Sequence, residues 1–322
     1  MFYTLLKYLV RLGLYWYAPD LRTKNLRLAS FAGPSIIVSN HPNSLFDALV
    51  IAAYCPVEIC FLTRGDIFKK PWANLLLRYL FQLPIYKKKD DDEFAVKNDF
   101  TFDECMRCLA AGKHVLLFPE GRSLNTWGLQ PLMNGGLTSL LERGYRAELP
   151  LQIQPFTLNY NSFQHLPKSV ELVALAPLDS TDYIAGHQID TAAIISALRT
   201  RLQDSVSEEA LVPKVLSERD KSAYRIPAKV GYYTQFWFYR IWRDYIRRKT
   251  AGTIFFDSLL FASLLFSYPI FVFFCSVIIG KLFGFWMGIA LFVFLPFTAY
   301  CMAKYQTITV EKDLTKTKVN RL

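Results

Sequence analysis

The chain has 322 residues, of which 52% are hydrophobic and 16% aromatic, and its formal net charge is +10. The hydrophobic share exceeds that of a typical soluble domain, although 20% of the residues are charged. A positive charge suits nucleic acid, an anionic membrane surface or an anionic substrate. The sequence has no zinc-finger, RNA-recognition or coiled-coil pattern, and its basic residues gather beside apolar segments. The composition therefore favours a lipid bilayer as partner and no nucleic acid.

Six cysteines are scattered along the chain. Because no secretory signal accompanies them, we expect free thiols and a catalytic part that faces a reducing compartment. Cys105 and Cys108 form a Cys-x-x-Cys that His114 follows, but an obvious fourth zinc ligand is missing. We interpret both cysteines as buried helix positions and expect no metal.

The first 20 residues predict an amphipathic helix. Its two charges interrupt the apolar run, which argues against a signal peptide and leaves no stretch long enough to span a bilayer. Two interpretations fit equally well: a helix lying in the membrane interface, or a helix packed on its own domain. One helical face carries Thr4, Lys7 and Arg11, and the other carries Phe2, Leu5, Leu9, Leu12 and Trp16.

Residues 21–225 alternate between short β-rich runs and helical stretches. This alternation predicts an α/β domain with a mixed, mostly parallel sheet flanked by helices. The predicted strands are 24–30, 35–39, 57–62, 114–118, 151–158 and 170–175. The predicted helices are 45–54, 71–82, 100–111, 134–144 and 190–204.

The last third of the chain predicts membrane anchors. Residues 226–250 are aromatic and basic and predict an interfacial linker helix. They lead into a transmembrane helical hairpin at 251–304, which a basic cytoplasmic tail follows at 305–322. The hairpin holds two apolar runs without charges, 258–280 and 282–303. At about 1.5 Å per residue, each run is long enough to cross a hydrocarbon core of about 30 Å.

Basic residues flank the hairpin on both sides, whereas only Gly280 and Lys281 separate the two apolar runs. The positive-inside rule places both ends in the cytoplasm and the turn outside, or at depth if the hairpin is re-entrant. We therefore expect an integral membrane protein whose catalytic domain faces the cytoplasm, in the inner membrane if the source is bacterial. Asp257 would lie at the cytoplasmic interface, where its energetic cost is modest.

A histidine and a carboxylate follow the predicted strand 35–39, in the sequence Ser-Asn-His-Pro-Asn-Ser-Leu-Phe-Asp. Pro42 disfavours the α conformation for His41, which places the histidine at the strand end. If Ser44 caps the next helix, Asp47 lies in its first turn, close to the loop that carries His41. The carboxylate can then orient the imidazole and stabilise the imidazolium. The pair predicts a general base, although this spacing also arises by chance.

A second segment, Phe-Pro-Glu-Gly-Arg-Ser at 118–123, follows an apolar run that predicts a buried strand. Ligands bind at the carboxyl edge of the sheet in α/β proteins, so this loop is a candidate binding site. Glu120 could align a substrate hydroxyl or a basic partner. Gly121 permits close backbone approach, and Arg122 offers a fork suited to phosphate. The alternative is an ordinary surface turn.

Together these segments resemble the glycerophospholipid acyltransferase superfamily, the PlsC-like enzymes that esterify glycerol 3-phosphate or lysophospholipids. His41 and Asp47 match the histidine-aspartate dyad of that family, and residues 118–121 match its third block. Residues 149–155 resemble its proline-containing fourth block. The resemblance covers residues 35–160, about half of the chain.

Three departures from the family pattern concern the substrate. Five residues separate His41 from Asp47 instead of the commoner four, as in a subgroup of glycerol 3-phosphate acyltransferases. The third block lacks its threonine, so Arg122 is shifted by one place. In the second block Lys87 takes the place of the usual arginine, and Arg64 is another candidate for the basic residue.

The mechanism that the resemblance implies needs no metal or bound cofactor. His41 would deprotonate a glycerol hydroxyl, which attacks the thioester of an acyl-CoA or acyl-ACP donor while Asp47 holds the imidazolium. The expected function is membrane-bound O-acyl transfer to glycerol 3-phosphate or 1-acylglycerol 3-phosphate in phospholipid biosynthesis. Two alternatives stay open. One is an acyltransferase with another acceptor, either a lysophospholipid in remodelling or an aminolipid, and the other is a non-catalytic, membrane-anchored lipid-binding module.

Overall fold

A central β-sheet organises the first two thirds of the chain. The computed structural model describes residues 2–88 and 92–319, with side chains described as far as residue 306. Within these residues, eight strands form one sheet and two form a small antiparallel hairpin. The sheet contains β1 (Asp20–Lys24), β2 (Ser35–Ser39), β3 (Ile59–Arg64), β4 (Gln82–Ile85), β5 (His114–Leu117), β6 (Gln152–Tyr160), β7 (Ser169–Ala174) and β8 (Leu178–Asp179). The hairpin pairs β9 (Ile184–Ala185) with β10 (Gln188–Ile189).

The sheet is mixed and mostly parallel, as predicted. Its spatial order is β1-β7-β6-β2-β5-β3-β4, and β8 pairs with β6. Strands β6, β2, β5, β3 and β4 run in one direction. Strand β7 pairs antiparallel with β6, and β1 runs parallel to β7. The carboxyl ends of five adjacent parallel strands therefore lie at one edge of the sheet.

Helices cover both faces of the sheet. The helices of the described residues are α1 (Phe2–Tyr17), α2 (Leu45–Tyr54), α3 (Pro71–Tyr79), α4 (Phe94–Ala110), α5 (Gly135–Arg146), α6 (Thr191–Gln203), α7 (Glu218–Lys249), α8 (Phe256–Phe283) and α9 (Phe285–Val319). Successive strand residues point to opposite faces. Ile37 of β2 therefore joins the core under α1, α2 and the start of α8. Ile36 and Val38 join the core under α4, α5 and α6.

Three predicted boundaries are wrong. The helix predicted over 100–111 begins at Phe94. The first strand occupies Asp20–Lys24 rather than 24–30, because Asn25 adopts a left-handed conformation with φ 56° and starts a short 3-10 turn. The helix predicted over 71–82 ends at Tyr79. The residues after it form β4, which lies at the edge of the sheet, where Pro84 is tolerated without a backbone N–H.

Helix α1 packs on the domain through one face and exposes the other. Val10 and Leu14 are buried, whereas Leu5 and Leu12, expected on the apolar face, are exposed. Lys7 points toward the domain because its ammonium donates to the carbonyl of Cys55. The structure thus shows the packing of α1 on the domain, and contact of its exposed apolar residues with a membrane interface stays a prediction.

The two apolar helices α8 and α9 lie side by side, and α7 packs against both. Phe256–Phe283 and Phe285–Gln306 are long and apolar enough to cross a membrane. The chain reverses at Gly284, with φ 101°, rather than at Gly280, so Lys281 lies in the last turn of α8. Gln235 of α7 donates to the carbonyl oxygen of Leu295 and so ties α7 to α9. The side chains of the predicted tail beyond residue 306 lie outside the described residues.

Candidate active site

Four neighbouring parallel strands bring the predicted site residues to one edge of the sheet. His41 follows β2, and Glu120 follows β5, its neighbour. Arg64 ends β3, and Lys87 follows β4. This is the carboxyl edge, where ligands bind in α/β sheets.

The loop between β2 and α2 turns sharply at Ser44, whose φ is 53° and ψ −140°. The sequence had suggested that the Ser44 side chain caps α2, but this side chain makes no capping hydrogen bond. Its backbone N–H instead donates to Ser123 Oγ at 2.8 Å. The Asp47 carboxylate reaches back and accepts from the N–H of Asn43 at 2.7 Å. This bond directs the carboxylate into the loop rather than toward solvent.

His41 and Asp47 meet across this loop. Nδ1 of His41 lies 2.9 Å from Oδ2 of Asp47, and Oδ1 accepts from the Tyr160 hydroxyl at 2.7 Å. The Asp47 side chain is fully buried, and its three hydrogen-bond donors compensate for the loss of water. Burial, and then the charge of Asp47, raises the pKa of Tyr160 well above its ordinary value, so the phenol remains a donor.

Two residues of the third block fix the position of the imidazole. The ring of His41 stacks on Phe118, with centroids 3.8 Å apart and an interplanar angle of 8°. The backbone N–H of His41 donates to Oε2 of Glu120 at 3.1 Å. The His41 side chain is 18% exposed. With Nδ1 directed at Asp47, Nε2 is the ring nitrogen that can meet a substrate hydroxyl.

Glu120 does not point outward as a residue that contacts substrate would. Its side chain is buried, and Oε1 accepts from the backbone N–H of Gln130 at 3.1 Å while Oε2 holds His41. The carboxylate therefore joins two loops of the site by their backbones. Burial raises the pKa of Glu120 above its ordinary value, although both backbone N–H donors oppose the shift.

The rest of the third block forms an exposed turn. Gly121 has a φ of 64°, a left-handed conformation that favours glycine. Arg122 is exposed. Lys87 crosses from β4 and donates to the carbonyl of Gly121 at 2.9 Å. The structure thus brings Lys87 to the turn that contains Arg122, a candidate phosphate ligand from a different block.

Arg64 already has an acidic partner in its own turn. Its guanidinium forms two hydrogen bonds with the Asp66 carboxylate, at 3.1 and 2.7 Å. Both side chains are exposed, so the pair can open at little cost when an anion competes.

Sequence reasoning missed Asp257 as a neighbour of this loop. Asp257 is fully buried inside the protein, and its Oδ2 accepts from Asn43 Nδ2 at 2.8 Å. The Lys168 ammonium, 2.5 Å away and equally buried, balances its charge. The one signal for Asp257 in the sequence is a carboxylate at the start of a long apolar run.

A comparison with protein families matches the segment that contains this site. Residues 20–158 match the family model described as Acyltransferase. This segment is therefore similar to acyltransferase domains. It contains β1 to β5, most of β6, the loops that carry His41 and Glu120, and helix α2 with Asp47. The family implies an acyl donor and a lipid acceptor as substrates.

One solved structure similar to the chain is the 1-acyl-sn-glycerophosphate (LPA) acyltransferase PlsC from Thermotoga maritima. The sequence identity is 15% and the TM-score 0.45, over 63% of this chain and 78% of that one. No curated protein matches the sequence. The similarity of this chain to acyltransferases therefore rests on the match over residues 20–158.

Proposed function

We propose that this protein is a membrane-bound O-acyltransferase that transfers a fatty acyl group from acyl-CoA or acyl-ACP to glycerol 3-phosphate or 1-acylglycerol 3-phosphate. The observation that carries the proposal is the contact of His41 Nδ1 with the fully buried Asp47 carboxylate, at 2.9 Å. This contact lies inside the acyltransferase segment. It leaves the other imidazole nitrogen at the carboxyl edge of the sheet.

The proposed reaction is a direct transfer. Nε2 of His41 takes the proton of the acceptor hydroxyl as the oxygen attacks the thioester carbonyl. The developing imidazolium is stabilised by Asp47, which Asn43 and Tyr160 hold in place. Collapse of the tetrahedral intermediate breaks the carbon-sulfur bond, and the thiolate leaves with the proton that His41 carried. The products are the ester and the free thiol.

The acceptor phosphate would bind beside the dyad. Lys87 and Arg122 converge on the exposed turn of the third block, and Arg64 ends the strand between β5 and β4. An arginine fork and a lysine ammonium together suit a phosphate dianion. Lysophospholipid or aminolipid acceptors are alternatives, since an exposed pair of cations accepts several anionic headgroups.

The membrane part of the proposal rests on α8 and α9. Helix α8 has 28 residues, or about 42 Å at 1.5 Å per residue, which exceeds a hydrocarbon core of about 30 Å. We place both ends of the hairpin in the cytoplasm, together with the acyltransferase domain, as the flanking basic residues indicate. We further propose that the acyltransferase domain extends to residue 225, since β6, β7 and α6 complete the sheet and its cover.

Acyl-transfer assays test the function. Membranes containing the protein are incubated with radiolabelled acyl-CoA and either glycerol 3-phosphate or its 1-acyl derivative, and we expect label in the product of one of them. His41→Ala should lose nearly all transfer. His187→Ala, which changes an exposed histidine between β9 and β10, should keep it. Undiminished turnover of the His41 variant would refute the mechanism. If the unaltered protein gives no transfer above that of membranes lacking it, the remaining alternative, a non-catalytic lipid-binding module, is supported.

A further inference from the structure

The first turn of α8 contacts the loop that carries the dyad. Asp257 Oδ2 accepts from Asn43 Nδ2 at 2.8 Å, and Ser258 Oγ accepts from the backbone N–H of Phe46 at 3.1 Å. Both α8 residues are buried. The N-terminus of α2, which lacks a cap from its own Ser44 side chain, therefore receives a cap from a helix more than 200 residues downstream.

A buried charge pair fixes Asp257. The Lys168 ammonium lies 2.5 Å from Asp257 Oδ2 and also donates to the carbonyl of Ser162 at 2.5 Å. The Tyr17 hydroxyl donates to Asp257 Oδ1 at 2.8 Å. Lys168 and Asp257 are both fully buried, and burial lowers the pKa of Lys168 while the Asp257 charge opposes that shift.

Such a pair is a costly way to stabilise a fold. Removing two charges from water costs about as much as their attraction returns, and apolar residues of similar volume often replace such pairs without loss of stability. A role in setting one geometry explains the pair better. Asn43 is the residue whose geometry it sets, because its Oδ1 meets no donor among the described residues. The bond from Nδ2 to Asp257 therefore orients this side chain.

Asn43 connects Asp257 to the dyad. Its backbone N–H donates to Asp47 Oδ2, the same oxygen that contacts His41 Nδ1. We propose that Asp257, held by Lys168, is a positioning residue for acyl transfer, and that the first turn of the apolar hairpin thereby supports the geometry of the active site. This inference rests on the proposed function of His41 and Asp47.

Two double variants of the full chain separate positioning from packing. Asp257→Leu with Lys168→Met removes both charges and also the acceptor for Asn43. Asp257→Asn with Lys168→Met removes the same charges but keeps an acceptor, because the amide oxygen can take the Asn43 hydrogen bond while its NH₂ group meets the Tyr17 hydroxyl. Neither variant leaves a lone buried charge, so both should fold.

The measurement is kcat and KM for the acceptor, with thermal unfolding in detergent as the check on folding. We expect the Leu variant to lose roughly 10 to 100-fold in kcat with KM within about threefold, as a misplaced catalytic group would. The Asn variant should recover most of that loss. Gln235→Leu, which removes a buried contact between α7 and α9 but none with the loop, should leave kcat unchanged.

Equal turnover of the two folded double variants would overturn the positioning role. If the Leu variant does not fold, the kcat of Asn43→Ala tests the positioning role instead. This substitution leaves the ion pair and the backbone hydrogen bond to Asp47 intact. Loss of kcat in this variant supports the inference, and wild-type kcat overturns it. The same assay distinguishes failure of this inference from failure of the proposed mechanism. If the proposed mechanism is wrong, His41→Ala retains turnover.

Discussion

Asp47→Asn separates the charge of this residue from its hydrogen bonds. An asparagine whose oxygen takes the place of Oδ2 still accepts from Asn43 and His41. Its NH₂ group then faces the Tyr160 hydroxyl, which can turn and accept. The substitution therefore fits the site and removes the negative charge that would stabilise the imidazolium.

The distance between the His41 imidazole and the Asp47 carboxylate sets an upper limit on the loss of kcat. At 2.9 Å and an effective dielectric constant of about 20, two unit charges attract by about 6 kcal/mol. This is an upper limit, because the amide still accepts a hydrogen bond, and hydrogen bonds to charged groups contribute about 1.5–3 kcal/mol. Each 1.36 kcal/mol is tenfold in rate, so we expect kcat to fall by about 10² to 10⁴-fold. KM should stay within roughly threefold, because the buried carboxylate does not touch the substrate.

The assay is acyl transfer at varied acceptor concentration, with equal amounts of protein in each membrane preparation. Tyr160→Phe is the matched control, because it removes a donor from Asp47 and leaves the charge in place. It should cost about 1–3 kcal/mol of unfolding free energy, since Oδ1 loses its donor, but no more than about tenfold in kcat. An Asp47→Asn variant within about fivefold of wild-type kcat, or a Tyr160→Phe loss as large as that of Asp47→Asn, would refute the role of the charge.

Three further predictions concern pH, acceptor binding and topology. Because burial raises the pKa of Glu120 above its ordinary 4.5, its contribution to stability is complete below that pH and falls as pH rises through the raised pKa. Glu120→Gln should flatten this part of the curve of unfolding temperature against pH, and an unchanged curve would count against the assignment. Lys87→Met should raise KM for a phosphorylated acceptor about tenfold with little change in kcat, and an unaltered KM would remove Lys87 from the phosphate site. Lys281→Cys should react with a membrane-impermeant maleimide from outside the cytoplasm, above the background of the parent chain, whereas labelling from the cytoplasmic side alone would indicate a re-entrant hairpin.

The dyad geometry could be predicted because its determinants are local. Pro42 disfavours a helical conformation for His41, which follows β2 by two residues, and Asp47 lies within the first turn of α2. The alternation of strands and helices predicted the parallel core of the sheet, since that core is built from consecutive units of strand, helix and strand. The two apolar helices were evident from uninterrupted hydropathy, although Gly284 rather than Gly280 reverses the chain.

The support of the dyad could not be predicted, because it comes from residues far away in the sequence. Tyr160 is 113 positions from Asp47, and it ends a strand whose sequence is typical of a buried strand without a catalytic role. Glu120 looked like a substrate ligand because a carboxylate in a glycine-containing turn usually faces solvent. Its role depends on two backbone N–H groups that only the folded loops bring together. Pairings of this kind depend on tertiary packing and leave no periodic pattern in the sequence.

The contact between α8 and the dyad loop also has a consequence for biogenesis. Asn43 and Asp257 are 214 positions apart, and Phe46 and Ser258 are 212 apart. A growing polypeptide therefore exposes both dyad residues long before the ribosome has made their downstream partners. The loop acquires its full set of hydrogen bonds only after the apolar hairpin has begun to emerge. Translation order thus makes complete assembly of the site coincide with the arrival of the segment that is suited to a lipid environment.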